Sequence, residues 1–151
     1  MSVPPDTALA AAVDTLLMAA IGLTTRTLAS SPARDLTVAQ WRMLALLDES
    51  TVGLRLTDLA EATGMSLPSA SRMVSRLVTR GFVRSEPDPG DRRAVQIALT
   101  PAGRSTVDDV LRRRHEAVAS ALDGRSLPEA FVEELRTIAT TLAAAARGSR
   151  P

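Results

Sequence analysis

The chain has 151 residues, 45% hydrophobic but only 2% aromatic, so it is long enough for one compact unit whose core must be built mainly from Leu, Val and Ala in closely packed helices. Its formal net charge is only +1 and all 18 basic residues are Arg, so the position of the charge, more than its total, decides what it is for. The lack of Cys excludes disulfides, thiolate zinc sites and thiol redox sensing, and a single histidine, His115, leaves no multi-histidine metal site, so neither metal nor cofactor is expected.

No succession of basic, apolar and cleavage-site residues opens the chain. No unbroken run reaches the roughly 18 apolar residues that span a bilayer, which predicts a cytoplasmic protein with no membrane partner. From Asp6 to about Ala29, Leu9, Val13, Leu16, Leu17, Ala20 and Leu28 recur on one face of a long helix, which Ser30, Ser31 and Pro32 close. Thr37-Val38-Ala39-Gln40 has the spacing of a capping box and opens a second helix to about Glu49, with Trp41, Leu44, Ala45 and Leu47 on its buried side. Gly53 to Leu56 is short enough for a minor strand. Thr57 is then placed to cap a short helix, Asp58 to Thr63, and Gly64 permits the tight turn that follows.

Ser66 caps the next helix and Pro68 falls in its first turn, where a missing amide costs little. Between Ser66 and Arg84 lie Arg72, Arg76, Arg80 and Arg84 with no Asp or Glu to offset them, the pattern of a helix that meets a polyanion. Ala70, Met73, Val74, Leu77 and Val78 recur at helical spacing, leaving Ser69, Arg72, Ser75, Arg76 and Thr79 to point outward. After Gly81 the pattern alternates: Phe82, Arg84 and Glu86 on one strand, Val95, Ile97 and Leu99 on a second, with Pro87, Asp88, Pro89 and Gly90 expected as the turn between them. A basic helix joined to such a hairpin, with Arg92 and Arg93 at its tip, reads as a winged helix-turn-helix.

Thr100-Pro101 starts a fifth helix carrying Val107, Val110, Leu111, Val118 and Leu122, which Asp123 and Gly124 stop. Ser126-Leu127-Pro128-Glu129 has capping-box spacing, and Phe131, Leu135, Ile138, Leu142 and Ala145 follow at alternating intervals of four and three, the spacing of a helix-pairing seam. The fold expected is mainly α: a winged helix-turn-helix over residues 36–100 with a small antiparallel β-wing, flanked by a terminal helix (1–35) and two further helices (101–147) that together form a dimerisation module, with a frayed tail at 148–151. The same periodicity also serves helices that fold against each other within one chain.

The succession TVAQWRMLALL, LTDLAEATGMSLPSASRMVSRLVTRGFV and DPGDRRAVQIALTPAG resembles the MarR family of bacterial winged-helix transcription regulators, over about Leu36 to Gly103. Its most specific element is Asp91-Arg92-Arg93 followed by Leu99-Thr100-Pro101-Ala102-Gly103. The resemblance implies a homodimer shaped like a triangle, with the first, fifth and sixth helices intertwined and Leu9, Val13, Phe131, Leu135, Ile138 and Leu142 among the contacts. It also implies recognition helices in successive major grooves of a pseudo-palindromic operator and wings in the flanking minor grooves. The wing arginine maps onto Arg93 and its orienting aspartate onto Asp91.

Physical chemistry supports those roles, because a guanidinium on a hairpin tip suits a narrow minor groove of enhanced negative potential. On the helix, Ser66, Ser69, Ser71 and Ser75 are short polar groups facing DNA, while Arg72 and Arg76 either fork onto guanine or clamp the backbone. Family members commonly take a small aromatic or carboxylated effector between the dimer helices and the winged domain. By position, Leu16, Leu17, Ala20, Trp41, Leu44 and His115 are the candidates, with Trp41 as a stacking face and His115 as a hydrogen-bonding group. The expected function is a transcriptional regulator, a repressor, that binds double-stranded DNA as a homodimer and is released by such an effector. An enzyme is not expected: there is no Cys, no Tyr, one His and no phosphate-cradling Gly-rich loop. The alternative is a winged-helix module that contacts protein instead of DNA, against which the basic wing tip argues.

Overall fold

In the computed structural model, which describes residues 5–88 and 90–148 (for 5, 6, 91–93 and 146–148 the backbone alone), the chain forms six helices and three strands in the described residues. They are α1 (Pro5–Ala29), α2 (Val38–Asp48), β1 (Leu54–Arg55), α3 (Leu56–Thr63), α4 (Leu67–Thr79), β2 (Val83–Asp88), β3 (Asp91–Leu99), α5 (Pro101–Leu122) and α6 (Glu129–Gly148). The capping box forms as its spacing predicts: the Gln40 amide donates to Thr37 Oγ1 at 3.2 Å and the Thr37 amide to Gln40 Oε1 at 2.9 Å. The left-handed turn between α3 and α4 sits on Gly64, at φ 68°.

Two helix starts differ from expectation. α3 begins at Leu56 with Arg55 at its cap, so Thr57 is already inside the helix and its hydroxyl turns to the Asp58 carboxylate at 3.3 Å. The reason is β1, which holds Arg55 extended against Gln96 and so fixes the point at which the chain can begin to coil. α6 begins at Glu129, with the Pro128 carbonyl accepting from Phe131 and Val132, so Glu129 is its first residue and not the third, where a box with Ser126 needs it.

The three strands form one antiparallel sheet in the order β1-β3-β2. Pro87 and Asp88, expected in the turn, extend β2 instead: Pro87 pairs with Val95, a register shift follows, and Asp88 lies opposite Asp91. β2 is an edge strand, where a proline's missing amide leaves no ladder bond unmade. Pro89 lies outside the described residues.

One hydrophobic core runs through α2, α3, α4, the sheet and the adjoining ends of α1 and α5. Met43, Leu44, Leu47, Leu59, Leu77, Val83, Val107 and Val110 are its largest fully buried members. The boundaries at residues 35 and 100 therefore do not divide the core, since Leu28 and Ala33 on one side and Val107 and Val110 on the other pack with the winged domain. Gly103, in the first turn of α5, lies so close to the α4–β2 turn that a Cβ would come 2.0 Å from the Phe82 carbonyl oxygen. Thr100 secures the same junction, its amide donating to that oxygen at 3.0 Å and its hydroxyl to the Gly81 carbonyl at 2.6 Å.

The apolar faces of α1 and α6 are exposed in the single chain, with Leu9 at 54%, Met18 at 65% and Phe131 at 51% of full accessibility. Ala45 on α2 is half-buried, and the deeper residue there is Met43; on α4, Val78 is exposed although its spacing placed it on the inner face. The stretch Thr7–Ala29 has a mean hydropathy of 1.7 and is long and apolar enough to cross a membrane. It is so by length and mean hydropathy only: Asp14, Arg26 and several threonines interrupt it, so it holds no unbroken apolar run of the length that spans a bilayer. At its C-terminal end Thr24, Thr27 and Leu28 are buried in the protein core.

Candidate nucleic-acid interface

Ser66 opens α4 by accepting the Ser69 amide at 3.4 Å, and Pro68 follows in the first turn. Ala70, Val74 and Leu77 bury one face and the half-buried Met73 borders it, so Ser71, Arg72, Ser75, Arg76 and Thr79 are exposed and Ser69 is half-buried. The hydroxyls on this face are already committed in different ways. Ser75 donates to the Ser71 carbonyl at 2.9 Å and Thr79 to the Ser75 carbonyl at 3.0 Å, whereas Ser66 donates to Ser69 Oγ at 2.9 Å. Arg72 Nη2 reaches the same Ser69 oxygen at 3.2 Å.

The four arginines of this region are not equivalent. Arg80 stacks on the Phe82 ring, its guanidinium carbon 5.1 Å from the centroid, and donates to the Asp35 carbonyl at 3.1 Å. Arg84 donates to Glu86 at 2.5 Å and to the Leu99 carbonyl at 2.7 Å. Both fasten the winged domain together. Arg72 and Arg76 alone of the four keep their charge on the outward face of α4, and the Arg76 guanidinium has no partner among the described residues.

At the base of the wing, sequence reasoning missed Asp88. It is 6% exposed, and its Oδ2 accepts both Arg55 Nε and Nη2 at 2.8 Å while Oδ1 accepts the Gly90 amide at 2.8 Å. Donation from the Gly90 amide does most to hold the carboxyl below the usual carboxylate range; burial pushes the other way, and the Arg55 guanidinium adds to the lowering. An Asp two residues before a Gly is a visible turn signal, but nothing local announces a partner on β1. The backbone of Asp91, Arg92 and Arg93 lies in β3; the side chains of these three wing residues lie outside the described residues.

The remaining candidates fall into two groups. Leu9, Val13 and Leu17 of α1 face Ile138 and Leu142 of α6 across a groove of about 600 Å³, and Phe131 and Leu135 are exposed on the same helix. The residues expected to form an effector cleft are not gathered in the single chain. Leu44 is in the core, Leu16, Leu17 and Ala20 are exposed on α1, and His115 is exposed on α5. Trp41 is buried beneath Arg114, whose guanidinium carbon lies 5.2 Å from the ring centroid, and its indole N–H has no partner among the described residues.

A cleft of about 560 Å³ lies elsewhere, between α6 and the α2–α3 pair, lined by Arg42, Leu46, Ala62, Arg136, Thr140 and Ala143 among others. Arg42 is fixed there by donating to the Ala62 carbonyl at 3.1 Å. Its sequence signal is the pair of small residues on α6, Ala139 and Ala143, that flank the apolar seam.

Residues 34–94 match the family model described as the MarR family. The multiple antibiotic resistance protein MarR of Escherichia coli strain K12 is 26% identical over 104 residues, 69% of each chain, while other curated regulators are matched over about half of their own length. The crystal structure of CouR from Rhodococcus jostii RHA1 bound to p-coumaroyl-CoA superposes with a TM-score of 0.74 at 25% identity, covering 94% of this chain and 96% of that one. A probable transcriptional regulator from Pseudomonas aeruginosa is 30% identical with a TM-score of 0.60, over 86% of this chain and 96% of that one. A helix-turn-helix with a β-wing, an outward basic face on its second helix and these likenesses over nearly the whole chain agree, and the chain belongs to the MarR family of DNA-binding transcriptional regulators.

Proposed function

We propose that this chain is a repressor that binds a pseudo-palindromic operator as a homodimer through α4 and the wing, and that a small aromatic or carboxylated molecule releases it. The observation that carries the DNA reading is the outward face of α4, where Arg72 and Arg76 have no ion pair with a carboxylate among the described residues while Arg80 and Arg84 are held in structural contacts. Residues 36–100 carry the DNA contacts in this reading. α1 (within 1–35) and α5 and α6 (within 101–147) join two copies, with Leu9, Val13, Phe131, Leu135, Ile138 and Leu142 in the seam. Asp91, Arg92 and Arg93 take the wing's minor-groove role, and the protein works in the cytoplasm beside its DNA.

Selection of random duplex DNA by the purified protein tests this. An enriched inverted repeat, with affinity falling steeply as salt rises, is the expected result. A folded dimer that enriches nothing and shows no salt dependence is the protein-contact module instead.

Effector release rests on the cleft beside Arg42 and Arg136, whose size suits a small ligand; a carboxylate binding there competes with Glu49, which lines the same cleft, and with Glu133, which already pairs with Arg136. The Trp41 N–H, which has no partner among the described residues, is on the same helix as Arg42. Trp41 is the only tryptophan of the chain and neighbours Arg42 on α2, so its fluorescence reports a rearrangement of that helix on binding. Titration with salicylate-type acids is expected to change that fluorescence and to weaken operator binding in parallel, since only a ligand that favours the DNA-incompetent form shifts the population. A fluorescence change with unaltered operator affinity removes the release mechanism.

A further inference from the structure

From the Ser66–Ser69–Arg72 relay on α4 we infer that Arg72, held by Ser69, reads the N7 and O6 acceptors of one guanine in each operator half-site, and that Arg76 holds a phosphate. This inference rests on the DNA-binding reading above and adds which arginine reads sequence and which base it reads.

Three observations separate the two arginines. Taking the direction of Ala70, Val74 and Leu77 as the buried side, a rotation of roughly 100° per residue places Arg72 roughly 165° away, at the centre of the outward face. The same rotation puts Arg76 roughly 125° away, on its flank. A helix lying in the major groove aims the middle of its outward face at base edges and its flanks at the phosphates on either wall. Arg72 is also one turn nearer the helix N-terminus, the end from which recognition helices of this class read bases.

The third observation is the relay. Ser69 Oγ accepts from Ser66 at 2.9 Å and from Arg72 at 3.2 Å, which leaves its own proton directed away from both. Arg72 is thereby fixed before DNA arrives and still has N–H groups to donate beside the Ser69 hydroxyl. The result is a set of convergent donors with no acceptor among them. Guanine offers two adjacent acceptors in the major groove, whereas adenine pairs one acceptor with a donor that would meet these donors head on. Arg76 has no such brace, which suits a contact that needs charge more than orientation.

The test uses the full-length protein and the duplexes it selects from random DNA. Each guanine of a half-site is replaced in turn by 7-deazaguanine, which lacks the N7 acceptor, or by inosine, which keeps N7 and O6. One guanine per half-site is expected to lose about tenfold in affinity as 7-deazaguanine and to tolerate inosine. Arg72→Ala is expected to abolish that penalty, Ser69→Ala to reduce it, and Ser69→Thr, which keeps the hydroxyl, to restore it. Arg76→Ala should weaken selected and random duplexes by similar factors, flatten the salt slope by about one unit and leave the penalty intact. The inference is overturned if no guanine is sensitive to loss of N7, or if Arg76→Ala removes the penalty and Arg72→Ala leaves it. Salt-dependent binding to random duplex in that case still upholds the DNA-binding reading, whereas a wild-type protein that binds no DNA overturns both.

Discussion

Gly103 is the residue whose replacement the backbone tolerates least. A Cβ there would lie 2.0 Å from the Phe82 carbonyl oxygen and 3.2 Å from Leu99 Cδ2, and a backbone oxygen cannot be cleared by a rotamer change. Gly103→Ala is expected to destabilise the fold at or above the upper end of the roughly 1–3 kcal/mol that overpacking costs, measured by urea unfolding. An unchanged midpoint would mean that the α4–β2 turn and α5 are not in contact. For Arg93 the expectation is electrostatic. Arg93→Ala should weaken selected and random duplexes alike and lower the salt slope by about one unit, and an intact slope would remove its groove role. The arginines also show what is legible one residue at a time. The sequence presents Arg72, Arg76, Arg80 and Arg84 as one uninterrupted basic series. Only two remain outward, because Arg80 finds the Asp35 carbonyl and Arg84 the Leu99 carbonyl, acceptors 45 and 15 positions away that no local pattern announces.

Among the elements, those defined by short-range chemistry could be read directly and those defined by partners could not. The capped starts of α2, α4 and α5 follow from Thr37, Ser66 and Thr100 because the cap and the amide it satisfies are three residues apart. α3 starts early because a strand partner holds Arg55, and β2 runs through Pro87 because the sheet order makes it an edge. The wing is the case with consequences for function. Asp88 ties the hairpin both to Arg55 at the head of α3 and to Gly90 in its own turn, so it sets where the wing lies relative to the recognition helix. Asp88→Asn is expected to weaken operator binding several-fold while leaving the far-ultraviolet spectrum unchanged; equal loss of helicity and binding would make it a folding residue only. The pH dependence has a definite sign. The folded state lowers the Asp88 pKa, so its stabilising contribution is complete above the unfolded value of about 3.9 and is lost as pH falls through the lower folded value. Protection of the Gly90 amide from exchange should therefore stay constant from about pH 5 upward and decline only below about pH 4. In Asp88→Asn that acid step should be missing.

For the whole molecule, the question is what covers α1 and α6. The periodicity of both helices was legible, but an apolar stripe at helical spacing is the same whether it meets another helix of its own chain, a second copy or lipid. α1 packs into the core only near its C-terminal end, where Thr24, Thr27 and Leu28 are buried, and leaves Leu9, Leu16, Met18 and Ile21 outside. On α6, Phe131, Val132, Leu135 and Leu142 are exposed. The two helices face each other across their groove without closing it, and two such chains related by a two-fold axis would each offer the other the same pair of apolar faces. Leu135→Glu places a charge in that seam and touches none of the core residues. It is expected to yield a folded monomer by sedimentation, with operator affinity lost by far more than affinity for random duplex, because each half-site alone is bound weakly. Half-sites in the selected DNA should lie about 10 base pairs apart, centre to centre, as two recognition helices on one face of B-DNA require. If Leu135→Glu remains a dimer, the seam lies elsewhere on the chain. If it becomes a monomer that still binds an inverted repeat as tightly as the wild type, the two winged domains do not act through a shared axis, and the spacing of the repeat must have another cause.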